Sequence, residues 1–358
     1  MTGDLLLVAS QSGEKLDFFD VDTLERLDTI GLLAQPHEMA YDPVRRLVYV
    51  AHTYRAGGYN EGKPKAHEIS VVDPDARRVI DVIDISPFEA AHDVDYDPGA
   101  DRIYASVERN GAGNGLIVID ARTREVETSI PLDPPNAHWL SLTPDGAKAY
   151  VTHKEAPFVS VVDLRDRRLL TTIPSPGGAE EVDCSPDGRY AVVGAPMMTL
   201  VINVARGGLT KGSPPPGTPR PRLLKIDVAT DEVVGVLEFD EYQSALRVGP
   251  DGRVAVSEFR FPAADAAGPA GPAGPACGRT NIVDLDSLEL LASVQLDELP
   301  FTVRFRPDGQ AAYVANVKSG SVSVVDLASY RVTATLDSNV GAPFGGTHGL
   351  CVVPGEQR

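Results

Sequence analysis

Apolar and polar residues alternate along this chain in short runs, and the runs come in groups of four separated by turns. A period of two marks half-buried strands, and no long apolar run of helical period competes with it. The clearest unit is 137–153, AHWLSLTPDGAKAYVTH: a strand, a Pro-Asp-Gly turn and a second strand. Proline presets one turn angle and glycine tolerates the unusual one that follows. Near-copies stand at 36–52 (PHEMAYDPVRRLVYVAH), 91–107 (AHDVDYDPGADRIYASV), 180–195 (EEVDCSPDGRYAVVGA), 244–259 (SALRVGPDGRVAVSEF) and 301–316 (FTVRFRPDGQAAYVAN), with a half-copy, THGLCVVP, at 347–354. A repeat of roughly 40 to 60 residues is a unit that buries its faces only against its neighbours, so a propeller or solenoid is the first reading.

Each full repeat divides into four strands, a to d. The second blade has them near 37–42, 47–52, 68–73 and 78–83; the third at 92–97, 102–107, 116–120 and 125–130; the fourth at 138–143, 148–153, 159–163 and 168–173. The fifth has 181–185, 190–194, 222–227 and 232–238; the sixth 245–249, 253–258, 280–285 and 289–295; the seventh 302–306, 311–316, 321–326 and 331–336. The remainders are complementary. Segments 4–10, 16–21 and 25–30 are b, c and d without an a, and 348–353 is an a without partners. Joining them completes a seven-bladed, all-β propeller of four-stranded antiparallel blades, 1–358 being one domain, with the C-terminal strand innermost in the N-terminal blade. Closure of this kind hides open strand edges.

Charge narrows the partners. Lys plus Arg is 33 against 51 Asp plus Glu, a formal net charge of −18. Such a surface repels polyanions, so nucleic acid and anionic membrane are excluded as expected partners. No stretch has the composition of a signal peptide or of a membrane-spanning segment, and Cys184, Cys277 and Cys351 have no metal-ligand spacing, so a cytoplasmic location is expected.

The phrases SPDGRYAVV, PDGQAAYVANVKSGSVSVVDLASYRVTATL and VTHKEAPFVSVVDL resemble the YVTN-type, YncE-like seven-bladed propeller repeats, and more broadly the cytochrome d1 domain and the propeller lactonases. The resemblance covers essentially the whole chain and implies the fold; that family includes both binding modules and unrelated enzymes. Three insertions, at 53–67, 195–221 and 260–279, interrupt the b–c connections. In a meander blade these loops emerge on the same face as the d-to-a connections, so all three crown one end of the channel. The third contains AAGPAGPAGPACG, too short for collagen and read as a flexible loop.

Aligning the repeats on the turn proline gives one position directly before strand a, occupied by His37, His92, His138, Glu180, Ser244, Phe301 and His348. In circular order, four histidines and Glu180 come from five consecutive blades, around one mouth of the channel. The repeats that this chain resembles carry a variable residue there. His52 and His153 end strand b in their blades, and His67 closes the first insertion, so they point to the same end. Imidazoles converging from several strands suit a transition metal. The expected ligands are His37, His92, His138 and His348, with His52 and His153 completing a larger site or orienting the others; Glu38, Asp93 and Glu181 follow three of the arc positions and suit that orienting role. Copper or iron is favoured, zinc being an alternative.

Glu180, Glu181 and Glu108 are candidate proton carriers, and Tyr54, Tyr242 and Trp139 candidate pocket walls. Arg247 and Arg304, on the blades without mouth histidines, either hold a substrate carboxylate or phosphate, or neutralise Asp95 and Asp183 across a wet tunnel. The chain lacks CxxCH, G-x-S-x-G, a Walker loop and HExxH. The reading that emerges is a metal-dependent enzyme acting on a small molecule, an oxidoreductase or oxygenase with an electron donor if redox. Its inner-strand histidines are similar in kind to the four-histidine iron of carotenoid-cleaving oxygenases and the copper centres of nitrous oxide reductase. A metal-assisted lyase or lactonase, and a noncatalytic propeller that binds a ligand or protein, are the alternatives.

Overall fold

A computed structural model describes residues 3–55, 64–108, 114–134, 136–198, 202–205, 208–211, 214–259, 278–342 and 346–355. Residues 56–63 of the first insertion and the Gly-Pro-Ala run of the third lie outside them.

Local chemistry explains why the strands stop where they do. The third strand of every blade ends on an aspartate: Asp20, Asp73, Asp120, Asp163, Asp227, Asp284 and Asp326. Its carboxylate accepts backbone N–H groups two or three residues on, as Asp20 does from Thr23 at 2.7 Å and Asp326 from Ser329 at 2.7 Å. Four residues after the aspartate the backbone turns left-handed, at Leu24, Arg77, Arg124, Arg167, Asp231, Leu288 and Tyr330. The aspartate's hydrogen bonds hold that strained residue in place. At the a–b turns the same conformation falls on Gly146, Gly188, Gly252 and Gly309, where no Cβ opposes it.

Seven four-stranded antiparallel sheets result, with inner strands Thr347–Val353, Gln35–Asp42, Ala91–Asp97, Ala137–Leu142, Val182–Cys184, Gln243–Val248 and Pro300–Phe305. Each inner strand touches the next and Pro300–Phe305 touches Thr347–Val353, which closes the ring. In the first blade Thr347–Val353 pairs with Leu5–Ser10, opposing Leu5 to Val353 and Leu7 to Cys351. The C-terminal strand therefore fastens the N-terminal blade, as the complementary remainders require. Separate apolar cores fill the gaps between blades: Leu6, Val8 and Phe19 meet Tyr313, Val322 and Val324 across the first and seventh.

Polar clamps add to these cores on the channel side. Asp93, Glu181 and Asp183 accept the N–H of Leu140 at 3.0 Å, Leu246 at 2.7 Å and Val248 at 2.7 Å, each on the inner strand of the following blade. Strand-b hydroxyls do the same with carbonyls: Thr53 donates to Ala91 O, Ser106 to His138 O, Thr152 to Glu180 O and Ser257 to Phe301 O. The start of the inner strand is thus fixed from the neighbouring blade in the third, fourth, fifth and seventh blades. One element was not visible in the sequence: a hairpin, Ile202–Ala205 with Gly208–Lys211, inside the 195–221 insertion. Among the described residues, no helix is long and apolar enough to cross a membrane.

Candidate metal centre

The inner strands lose their register where the histidines stand. Shifts fall between Pro36 and Met39, Ala91 and Val94, Ala137 and Leu140, and Pro300 and Val303. A matching shift between Val8 and Ser10 faces His348 and Gly349. Bulges of this kind re-aim side chains away from the pleat. Left-handed residues two places earlier, Ala90, Asn136, Leu299 and Gly346, complete the bend.

The outcome is a row of rings. His348 and His37 lie 4.0 Å apart between centroids, His37 and His92 4.0 Å, and His92 and His138 4.1 Å. Phe301 extends the row beyond His348 at 4.6 Å. Trp139 stands edge-on to His92 at 5.8 Å and to His138 at 6.0 Å. The four histidines are only 3 to 6 % exposed. Among the described residues, the buried Nδ1 atoms of His37, His92 and His138 have no hydrogen-bond partner. Leaving such atoms unsatisfied costs about 1–3 kcal/mol each, so these three nitrogens are candidates for a further partner. Burial pushes the pKa of all three well below that of a free imidazole, and neighbouring positive groups, Lys154 among them, push the same way. Neutral imidazole is the metal-binding form.

Glu38 is the node of the site. It is fully buried, and its Oε1 accepts from His348 Nδ1 at 2.8 Å and from Thr302 Oγ1 at 2.9 Å, while Arg304 reaches Oε2 at 3.4 Å. His37, Glu38 and His348 each offer a ligand atom, all lying within 4.8 Å of one another. Together they form a His/Glu cluster able to hold a metal ion. A carboxylate that fixes one ring nitrogen orients the other toward a metal. Glycine makes the approach possible, because a methyl group on Gly349 would collide with the backbone carbonyl of His37. Gly349→Ala is therefore expected to separate the two strands, weakening metal binding at least tenfold and lowering the thermal midpoint, as metal titration and a melting scan would report.

The other expected residues are distributed more widely. His52 Nδ1 donates to Ala34 O at 3.1 Å and its Nε2 accepts from Ser70 at 2.7 Å; His153 Nε2 bonds Ser160 at 2.8 Å. The equivalent slot in the seventh blade holds Asn316, which donates to Ser323 at 2.9 Å. These two histidines thus face the third strand of their own blades, not the row. His67 donates from Nδ1 to Phe88 O at 2.7 Å. Burial depresses the His52 pKa to about 4 from 6.5. The unfolded chain then binds the proton more tightly, so stability is complete above about pH 6.5 and is lost as pH falls toward 4. The expected loss is on the order of 3 kcal/mol. His52→Gln should flatten that part of the profile, measured by urea denaturation at pH 7 and 4.5.

Glu180 follows His138 around the mouth; its Oε2 accepts from Met198 N at 3.3 Å, its buried Oε1 has no partner among the described residues, and burial pushes its pKa up to about 8. Glu181 is directed between blades onto Leu246, and burial raises its pKa well above the ordinary range. Glu108 accepts from Tyr54 Oη at 3.0 and 2.9 Å and from buried Lys154, with Lys65 at 3.5 Å. Lys154 and Lys65 escaped the sequence reading; the alignable signal was a pair of opposite charges in one slot just past strand b in consecutive blades, Glu108 and Lys154. Tyr242 is buried just ahead of Gln243–Val248. Arg247 and Arg304 pair with Asp183 at 3.2 Å and Glu38 at 3.4 Å, and both line an axial cavity.

No protein-family model matches the chain, so the YVTN-type likeness stays a resemblance of repeats. Among curated proteins, antigen Lp49 of Leptospira interrogans is 25% identical over 262 residues, 71% of this chain and 52% of that protein. The chain thus spans about half the length of the relative that it matches. Two solved structures share the fold. Hydrazine synthase of Kuenenia stuttgartiensis aligns with a TM-score of 0.67 at 17% identity, covering 90% of this chain and 96% of that one. A functionally unknown protein from Desulfotomaculum acetoxidans aligns with a TM-score of 0.70 at 14% identity, over 98% and 99%. At such identities the likeness extends to the fold alone.

Proposed function

We propose that the mouth of this propeller holds a transition metal ion, copper or iron before zinc, and acts on a small molecule as a metal-dependent oxidoreductase. The observation that carries this reading is the row of buried imidazoles, whose Nδ1 atoms have no partner among the described residues, beside a carboxylate-anchored His348. His37 and His348 are the ligands, and Glu38 either joins them or fixes His348. His92 and His138 wall the next position along the row, where a substrate or an oxygen species would meet the metal. The bound metal would supply Lewis acidity or an electron; the protein's part is to hold the rings neutral, exclude bulk water and move a proton. Glu180 suits the proton step, because a carboxyl with a pKa of about 8 keeps its proton near neutrality. A redox cycle would need an electron donor from outside the chain.

The near-complete burial of the row favours a second reading, a closed metal site without catalysis. Metal analysis of untagged protein, followed by azide titration of the copper- or iron-loaded form, separates the two. The enzyme reading expects near-stoichiometric metal and an azide-dependent change in the electronic or paramagnetic spectrum, since an open position accepts the anion. Bound metal indifferent to azide would leave the closed site, and metal-free protein that takes up no ion would remove both.

A further inference from the structure

The channel carries a second feature on the inner strands, toward the a–b turns and away from the histidines, where Pro186, Pro250 and Pro307 join its lining. A cavity of about 390 Å³ is lined by Asp93, Asp95, Arg247, Arg304, Tyr41 and Cys351. That volume lies in the range of small-ligand sites. Its walls are unlike. Arg247 and Arg304 come from the neighbouring sixth and seventh blades, whereas Asp93 and Asp95 stand on the third.

The acidic wall has its partners within the protein. Asp93 accepts from Val94 N at 2.8 Å and Leu140 N at 3.0 Å, and Asp95 from Tyr96 N at 2.8 Å and Leu142 N at 3.3 Å. The basic wall is less complete. Arg247 keeps about a third of its side chain exposed, and its ion pair is one contact, Nη1 to Asp183 at 3.2 Å. Arg304 donates to Val303 O at 2.8 Å and reaches Glu38 Oε2 at 3.4 Å. A guanidinium has five N–H donors in a planar fork matched to carboxylate and phosphate oxygens. Two such forks on one wall, with their internal partners at one edge, fit a small oxyanion.

Glu38 links this wall to the mouth. Its Oε1 faces His348 Nδ1 and its Oε2 faces Arg304, so one carboxylate serves the metal cluster and the cavity. We propose that the axial cavity binds a small carboxylate or phosphate anion through Arg247 and Arg304, and that Glu38 couples its occupancy to metal at the mouth. The anion site stands on the cavity alone; the coupling rests on the metal reading above. A metal that draws Glu38 toward His37 and His348 takes the counter-ion from Arg304, and the cavity anion replaces it. Metal and anion then strengthen each other's binding by the same factor, as linkage requires, about 5- to 150-fold for couplings of ordinary size.

Calorimetric titration of the full chain with inorganic phosphate and with succinate, in apo and copper-loaded forms, tests this. Saturable binding of either probe is expected, weakened at least tenfold in Arg247→Gln and partly retained in Arg247→Lys. Copper should tighten anion binding in the native protein, whereas Glu38→Gln, which removes the counter-ion of Arg304, should tighten apo binding and show no further gain at a copper concentration that saturates the variant. Absence of binding in both forms, or binding unchanged in Arg247→Gln, overturns the site. Equal anion affinity with and without bound copper overturns the coupling. A chain that binds the anion through Arg247 but takes up no metal keeps the site and removes the metal reading instead.

Discussion

On the proposed metal reading, His348→Ala should strip the ion from the mouth, with affinity falling by more than roughly 100-fold, because losing even an orienting partner of a ligand costs 10–100-fold. The mutation deletes one ring of the cluster and leaves Glu38 without its 2.8 Å donor. His37→Ala should match it. His138→Ala is the informative contrast. Its ring stands two places along the row from His37 and outside the set whose donor atoms lie within 4.8 Å of one another. Metal affinity there should fall tenfold or less, while any reaction at the neighbouring position is lost. The measurement is metal content after dialysis, with competition titration for the constants and a melting scan to show that each variant is folded. Equal losses from His138→Ala and His348→Ala would mean that the ion sits in the middle of the row, and full retention in His348→Ala would end the assignment.

The fold was legible because its signals are local and repeated. Strand alternation, Pro-Asp-Gly and the closing aspartate each act within a few residues, so segments such as 222–227 and 311–316 coincide with strands Arg222–Asp227 and Ala311–Asn316. The histidine arc was legible for the same reason: alignment of repeats is alignment in space once the ring closes. What alignment misses is the direction of a side chain. His52 and His153 end strands that rise to the same mouth, yet the two-residue period of a strand turns them onto Ser70 and Ser160. The bulges that free Nδ1 of His37, His92 and His138 leave no mark in composition. Glu38 reads as one more acidic residue after an arc histidine, and only contacts with the first and seventh blades reveal it as a junction. Arg247 and Arg304 were placed on the right strands, but their depth along the axis sets them in a cavity of their own. The hairpin at Ile202–Ala205 had a weak signal, Ile202-Asn203-Val204 and Leu209-Thr210 around Gly207-Gly208, too short to stand out from the insertion without a Pro-Asp-Gly turn.

Ending the chain at residue 342 should abolish cooperative folding of the ring. The removed segment contains the inner strand Thr347–Val353, which supplies Leu350 and Val353 with no exposed surface, and Cys351 with almost none. Burial of each large apolar side chain is worth about 1.5–3 kcal/mol. Both cores that flank the first blade draw on this strand: Leu350 packs with Tyr313 and Val322, Cys351 and Val353 with Met39 and Val50. The combined loss is comparable with the roughly 5–15 kcal/mol by which a typical domain is stable. The deletion also bares the hydrogen-bonding edge of Leu5–Ser10, a template for pairing with another chain. Size-exclusion chromatography should therefore show oligomers, and calorimetry a broad or absent transition. Because the missing piece is one strand with a defined register, a synthetic peptide of residues 346–355 should restore a monomeric ring and, with His348, its metal binding. A truncated protein that stays monomeric and melts as one cooperative unit would show that the circle does not depend on this strand. His348 would then belong to a strand that the ring does not need in order to form.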